Sequence, residues 1–190
     1  MTRILSNERI LNVPNILTLA RILLTPFIVY AILEQQPRLA LLLMAAAGLT
    51  DMLDGAIARL FNQRSTVGAY MDPLADKLML ISSIVTLYSM NMIPLFLFLA
   101  VIFRDLIIVI GAIAYEIVTH KLEMRPTVTS KITTFLQILL VLAVLSDAAW
   151  HIWPASWLQD LAWLTFTLTV LSGIQYMVVW MGKALHDERT

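Results

Sequence analysis

The chain has 190 residues, 59% of them hydrophobic and 14% charged, which is too apolar for a water-soluble domain and makes a bilayer its solvent. Thirteen acids balance thirteen Lys plus Arg, so there is no basic excess to mark nucleic acid as a partner, and the placement of the charges matters more than their sum. The lack of cysteine excludes disulfides and Cys-based zinc or redox centres.

Crossing a hydrocarbon core about 30 Å thick takes about twenty apolar residues. Runs of that kind fall at 13–33, 38–60, 70–90, 93–118, 129–149 and 157–182. They predict an all-α integral membrane protein of six transmembrane helices, a single membrane domain over 1–190 with no room for a soluble one. The first run follows Arg3 and Arg9, but it is long and has no small-x-small cleavage site before Glu34, so it reads as a helix and not as a signal peptide. The breaks carry turn chemistry or charge at Glu34 to Arg38, Asn62 to Ser65, Asn91 to Pro94, His120 to Pro126 and Trp153 to Ser156.

Segments on the N-terminal side hold Arg3, Arg9, Arg59, Arg64, Lys121, Arg125, Lys131, Lys183 and Arg189, against Arg38 alone on the other. The positive-inside rule then puts both termini in the cytoplasm. Trp150, Trp153 and Trp157 gather at the fifth connection, where aromatic rings favour the opposite headgroup level. Arginine-rich cytoplasmic segments and no transit sequence suit the inner membrane of a bacterium.

Arg21, Asp51, Asp54, Asp72, Asp76, Lys77, Arg104 and Asp105 fall within or beside the spans. Four uncompensated acids near the bilayer centre cost roughly 10–14 kcal/mol on insertion scales. Cations are the obvious compensation. Asp51 and Asp54 are three apart on the second helix and share a face with Gly55 and Ala58. Asp72 and Asp76 are four apart at the start of the third helix, with Gly68 one turn earlier. A short connection makes these helices antiparallel neighbours, so the four carboxylates can converge. Hard oxygen ligands without Cys or His favour Mg²⁺ or Mn²⁺, ions that accompany phosphate substrates.

Each feature also has a plainer reading. Asp72 before Pro73 can be an N-cap, Arg59 and Arg64 can set topology, and Gly55 with Ala58 can be a small-residue helix contact. Together these leave Asp51, Asp54 and Asp76 unexplained. The structural alternative for those acids is salt bridging to Arg21, Lys77 or Arg104.

The run from Asp51 through Asp54, Gly55 and Ala58 to Arg59, then eight residues, then Gly68 to Asp72 and Asp76, resembles the CDP-alcohol phosphotransferase signature at every fixed position. Pro14, Asn15, Thr18 and Arg21 on the first helix extend the resemblance, which covers about residues 12–140. It implies that an acceptor hydroxyl attacks the β-phosphorus of CDP-diacylglycerol, CMP leaves and a phosphodiester forms. Asp51, Asp54, Asp72 and Asp76 would hold two divalent ions, Mg²⁺ or Mn²⁺, with Asp76 also the catalytic base. Asn15, Thr18, Gly55, Ala58, Arg59 and Gly68 would form the nucleotide and donor site. The family's habit implies a homodimer.

Arg104 and Asp105 lie midway along the fourth helix, Arg125, Ser130 and Lys131 border the fifth, and Gln137 lies inside it. Arg104, Arg125 and Lys131 can make a cationic pocket for an acceptor that carries a phosphate, although cytoplasmic anchoring also explains Arg125 and Lys131. Phosphatidylglycerol and glycerol 3-phosphate both qualify. The Arg104-Asp105 pair and the stretch from Arg125 to Lys131 resemble the CMP-forming cardiolipin synthases more than the phosphatidylglycerophosphate synthases. A cation or proton transporter is the non-enzyme alternative, since intramembrane acids also mark ion paths. It does not require the small-residue stripe, and no inverted repeat is visible. Prenyl transfer would call for adjacent aspartates, which are absent.

Overall fold

A computed structural model describes residues 13–60, 66–119 and 127–187, with side chains at 15–51, 71–72, 74–111 and 127–179. The described chain is helical throughout: α1 (Val13–Leu33), α2 (Pro37–Leu60), α3 (Thr66–Ser89), α4 (Leu95–Thr119), α5 (Val128–Trp150) and α6 (Ala155–Asp187). Each predicted span falls on one helix. Over the described residues, Asn15–Leu33, Val128–Trp150 and Ala155–Val179 are long and apolar enough to cross a membrane. Leu23, Phe27 and Tyr30 are exposed on α1, as are Phe135 on α5 and Val178 on α6, an outward dress suited to lipid rather than water.

Two boundaries differ from the sequence reading. α3 begins at Thr66, so Asp72 and Pro73 lie inside the helix and Asp72 is not its N-cap. Proline withholds only one backbone hydrogen bond, so the helix can continue through it; α1 likewise runs through Pro26. α6 continues to Asp187 because good helix formers follow where the hydropathy stops.

The chain forms two compact units. Unit 1 comprises α1, α2 and α3 as far as Leu87, with Ala148–Trp150. α1 and α2 pack closely. Ala40, Met44 and Ala47 line one stripe of α2 and are buried, as are Ile28, Ala31 and Ile32 of α1 and Ala75, Met79 and Leu80 of α3. Alanines at 40 and 47 let the backbones approach. The α1–α2 turn is tight because Gln35 takes φ 54°, while the Gln36 N–H reaches the Ala31 carbonyl at 2.8 Å and the Gln35 N–H the Ile32 carbonyl at 3.1 Å. These are the paired bonds of a Schellman cap, made here by a residue other than Gly.

Unit 2 comprises Tyr88–Asp147 and His151–Thr190, where α4 packs on α6. Leu97 and Val101 of α4 and Leu161 and Ala162 of α6 are buried. α5 and α6 are also tied by side chains: the Thr133 hydroxyl donates to the Leu168 carbonyl at 3.2 Å and Gln137 Nε2 to Thr169 Oγ1 at 3.2 Å. Within each unit the burial turns from apolar at one end to polar at the other. In α1, Ile28, Ala31 and Ile32 give way toward the N-terminus to Thr25, Arg21, Thr18 and Asn15. In α5, Leu140 to Leu145 give way to Gln137, Thr133 and Ser130.

Candidate active site

The polar end of unit 1 is built on α1. Thr18 and Arg21 sit one turn apart, opposite Asp72 and Asp76, which sit one turn apart on α3. Thr18 Oγ1 donates to Asp72 Oδ1 at 2.5 Å, and Arg21 Nη1 donates to Asp76 Oδ1 at 2.6 Å. Both pairings advance in the same direction along the chain, so α1 and α3 lie side by side and parallel at this point. Arg21 Nη2 also meets Asp51 Oδ1 of α2 at 2.9 Å. One guanidinium thus gathers carboxylates from two helices.

The side chain of Arg21 is 0% exposed, whereas those of Asp51 and Asp76 are 47% and 50% exposed. The cation is buried and the acids reach outward. When ionised, Asp51, Asp72 and Asp76 carry three negative charges against the single positive charge of Arg21, and hard oxygen donors with surplus negative charge suit a divalent ion such as Mg²⁺ or Mn²⁺. Among the described residues no group of three His, Cys, Asp or Glu is placed to hold a metal ion, and the side chain of Asp54 lies outside them. The donor chemistry fits the ion, and Asp51 and Asp76 already converge on a positive group.

Of the residues expected at the donor site, Asn15 and Thr18 are buried on α1. The side chains of Asp54, Gly55, Ala58, Arg59 and Gly68 lie outside the described residues, as does Arg125 altogether. Of the structural alternatives, Arg21 does pair with two of the acids. Arg104 pairs instead with its neighbour, Nη1 meeting Asp105 Oδ1 at 2.6 Å.

Arg104 anchors the polar end of unit 2. Its Nη2 donates to Ser130, to Oγ and also to the carbonyl at 3.4 Å. Ser130 is held by the N-cap of α5, where Thr127 Oγ1 accepts from the Ser130 N–H at 3.2 Å. The stem of Arg104 runs past Gly173 of α6, where an added Cβ would come within 3.8 Å of its Cβ and Cγ. Lys131, one residue beyond Ser130, is exposed and lies outside this buried cluster. Three buried polar atoms here have no partner: Arg104 Nε, Gln137 Oε1 and Ser172 Oγ.

Sequence reasoning did not include Arg21 in the site, although its depth in the first span was the signal. It also passed over Thr165, Thr169 and Ser172, which are all 0% exposed and whose i, i+4, i+7 spacing puts them on one face of α6.

A family model for CDP-alcohol phosphatidyltransferase matches residues 11–175. A relative from Drosophila melanogaster named probable cardiolipin synthase (CMP-forming) is 34% identical over 187 residues, which cover 90% of this chain and 58% of the relative. The human protein named cardiolipin synthase (CMP-forming) is 35% identical over 181 residues, 86% of this chain and 60% of its own length. The Aquifex aeolicus protein named CDP-diacylglycerol–glycerol-3-phosphate 3-phosphatidyltransferase is 32% identical over 177 residues, 92% of this chain and 95% of the relative. The chain therefore spans less than two thirds of the fly and human relatives and nearly all of the bacterial one. With a family match over 165 of its 190 residues (11 through 175), the chain belongs to the CDP-alcohol phosphatidyltransferase family.

Proposed function

We propose that this chain transfers the phosphatidyl group of CDP-diacylglycerol to a glycerol-type acceptor and releases CMP. The observation that carries the reading is the convergence of half-exposed Asp51 and Asp76 on one cation, with Asp72 held one turn away. CDP-alcohol phosphatidyltransferases depend in general on a divalent metal. Asp51, Asp54, Asp72 and Asp76 would hold two such ions, and when bound these neutralise the pyrophosphate of the donor and the leaving CMP.

The chain's own groups do the rest. With Oδ1 engaged by Arg21, Oδ2 of Asp76 takes the proton of the acceptor hydroxyl as the hydroxyl oxygen attacks the β-phosphorus. The new P–O bond makes the phosphodiester, and the broken one releases CMP. Asn15, Thr18, Gly55, Ala58, Arg59 and Gly68 form the donor site, where Arg59 matches phosphate with its planar fork. Arg104, Arg125 and Lys131 bind the acceptor's phosphate. The unpartnered Arg104 Nε, Gln137 Oε1 and Ser172 Oγ support that part of the reading, because a ligand bearing phosphate and hydroxyl groups offers both the acceptors and the donors they lack.

Phosphatidylglycerol is the lead acceptor, which makes the product cardiolipin; the names of the fly and human relatives favour it. Glycerol 3-phosphate is the second reading, favoured by the name of the bacterial relative. The proposal includes one membrane domain with six spans, both termini in the cytoplasm of a bacterial inner membrane, the site facing the cytoplasm, and a homodimer. The test is CMP release by detergent-purified protein given CDP-diacylglycerol, Mg²⁺ or Mn²⁺, and each acceptor separately. Cardiolipin formed from phosphatidylglycerol supports the lead reading, and phosphatidylglycerophosphate formed from glycerol 3-phosphate supports the second. Absence of CMP release from folded protein under every condition would overturn both and reopen ion transport.

A further inference from the structure

We infer that Arg21 is a positioning residue for the acids of the active site. Its planar guanidinium sets the spacing of Asp51 and Asp76 before any metal ion arrives. This inference rests on the proposed metal-binding role of those acids.

Arg21 is 0% exposed and its two terminal nitrogens each take a different carboxylate, Nη2 with Asp51 and Nη1 with Asp76. A guanidinium is flat and its donors diverge at fixed angles, so two oxygens bonded to it have little freedom in their separation. Without such a brace, acids from α2 and α3 would repel one another and drift apart on their rotamers. Thr18 completes the arrangement one turn away by fixing Asp72 Oδ1. Three acids of the site thus take their positions from two residues of α1. Partners that stand behind metal ligands in this way tune affinity even though they never touch the ion.

Charge and geometry can be separated by substitution. Arg21→Lys keeps a buried cation for the acids, so the chain retains its fold, but an ammonium cannot hold two carboxylates in one plane at a fixed spacing. Thr18→Val is the companion variant that removes the hydrogen bond to Asp72 and leaves Arg21 in place. Mn²⁺ binding to the detergent-purified full chain would be measured by the loss of the free Mn²⁺ electron paramagnetic resonance signal, without substrates or turnover. The expected result is that Arg21→Lys binds Mn²⁺ roughly 10- to 100-fold more weakly than the wild type, with a smaller loss in Thr18→Val. Unchanged or tighter binding in Arg21→Lys, with normal binding by the wild type, overturns the inference alone. A wild-type chain without saturable Mn²⁺ binding removes the metal reading of the acids and this inference with it.

Discussion

Two buried arginines stand at the polar ends of the two units, and they keep very different company. Arg21 lies under Asp51 and Asp76, whose side chains are about half exposed, whereas Arg104 and its partner Asp105 are 3% and 7% exposed. In unit 1 the cation is hidden and its acids face outward, so they can meet a further cation. In unit 2 acid and base are sealed together, and Gln137 Oε1 and Ser172 Oγ are buried polar atoms left unmet in the same unit. The first arrangement suits acids that bind and react. The second suits an arginine locked in one pose for an anionic group.

The largest test of that contrast is Asp76→Asn. If the outward acid does chemistry, CMP release in the acceptor-dependent assay falls roughly 10²- to 10⁴-fold, while CDP-diacylglycerol binding, measured directly, persists. Full activity would move Asp76 into the same class as Asp105. Next in size is Arg104→Ala, which strands a buried carboxylate and is expected to cost about 3–5 kcal/mol in unfolding experiments. It should also raise the acceptor KM well beyond the donor KM. Replacing both partners, Arg104→Met with Asp105→Leu, recovers most of the stability but not the acceptor KM. That outcome separates packing from recognition; recovery of both would leave Arg104 a structural residue only.

Two smaller substitutions test the scaffold away from the site. Gln35→Gly removes the steric cost of a left-handed residue and is expected to add up to about 1 kcal/mol in a thermal or denaturant titration. Gly48 has open space where a Cβ would stand, so Gly48→Ala should add about 0.5 kcal/mol through helix propensity with no change in activity. A loss at either position would mean that the α1–α2 turn or α2 itself is held more tightly than its packing indicates.

The helices were legible because hydrocarbon imposes a length and leaves the backbone no alternative to helix. The start of α3 was less legible: Asp72 before Pro73 also reads as a helix start, yet the helix begins at Thr66 and runs through both. The acids were legible by their cost, four charges in apolar spans. Arg21 was visible as a charge out of place, yet nothing in one sequence says which acids it meets; that depends on the parallel register of α1 with α3. The Gln137 and Thr169 contact was hidden for another reason, since hydroxyls and amides are common in helices and only packing reveals which are buried. The turn at Gln35 lacked the glycine that marks such caps.

The pairing of Arg21 with Asp51 also bears on how the chain enters the bilayer. A lone arginine or aspartate costs about 2.5–3.5 kcal/mol near the centre of a membrane, and Arg21, 0% exposed on α1, is the one of this pair that is fully buried. The α1–α2 turn is tight and the two helices pack closely, so the charges meet as soon as the second helix follows the first. Held as one hairpin, α1 and α2 each supply the other's counter-ion, so neither charge meets an apolar surrounding alone.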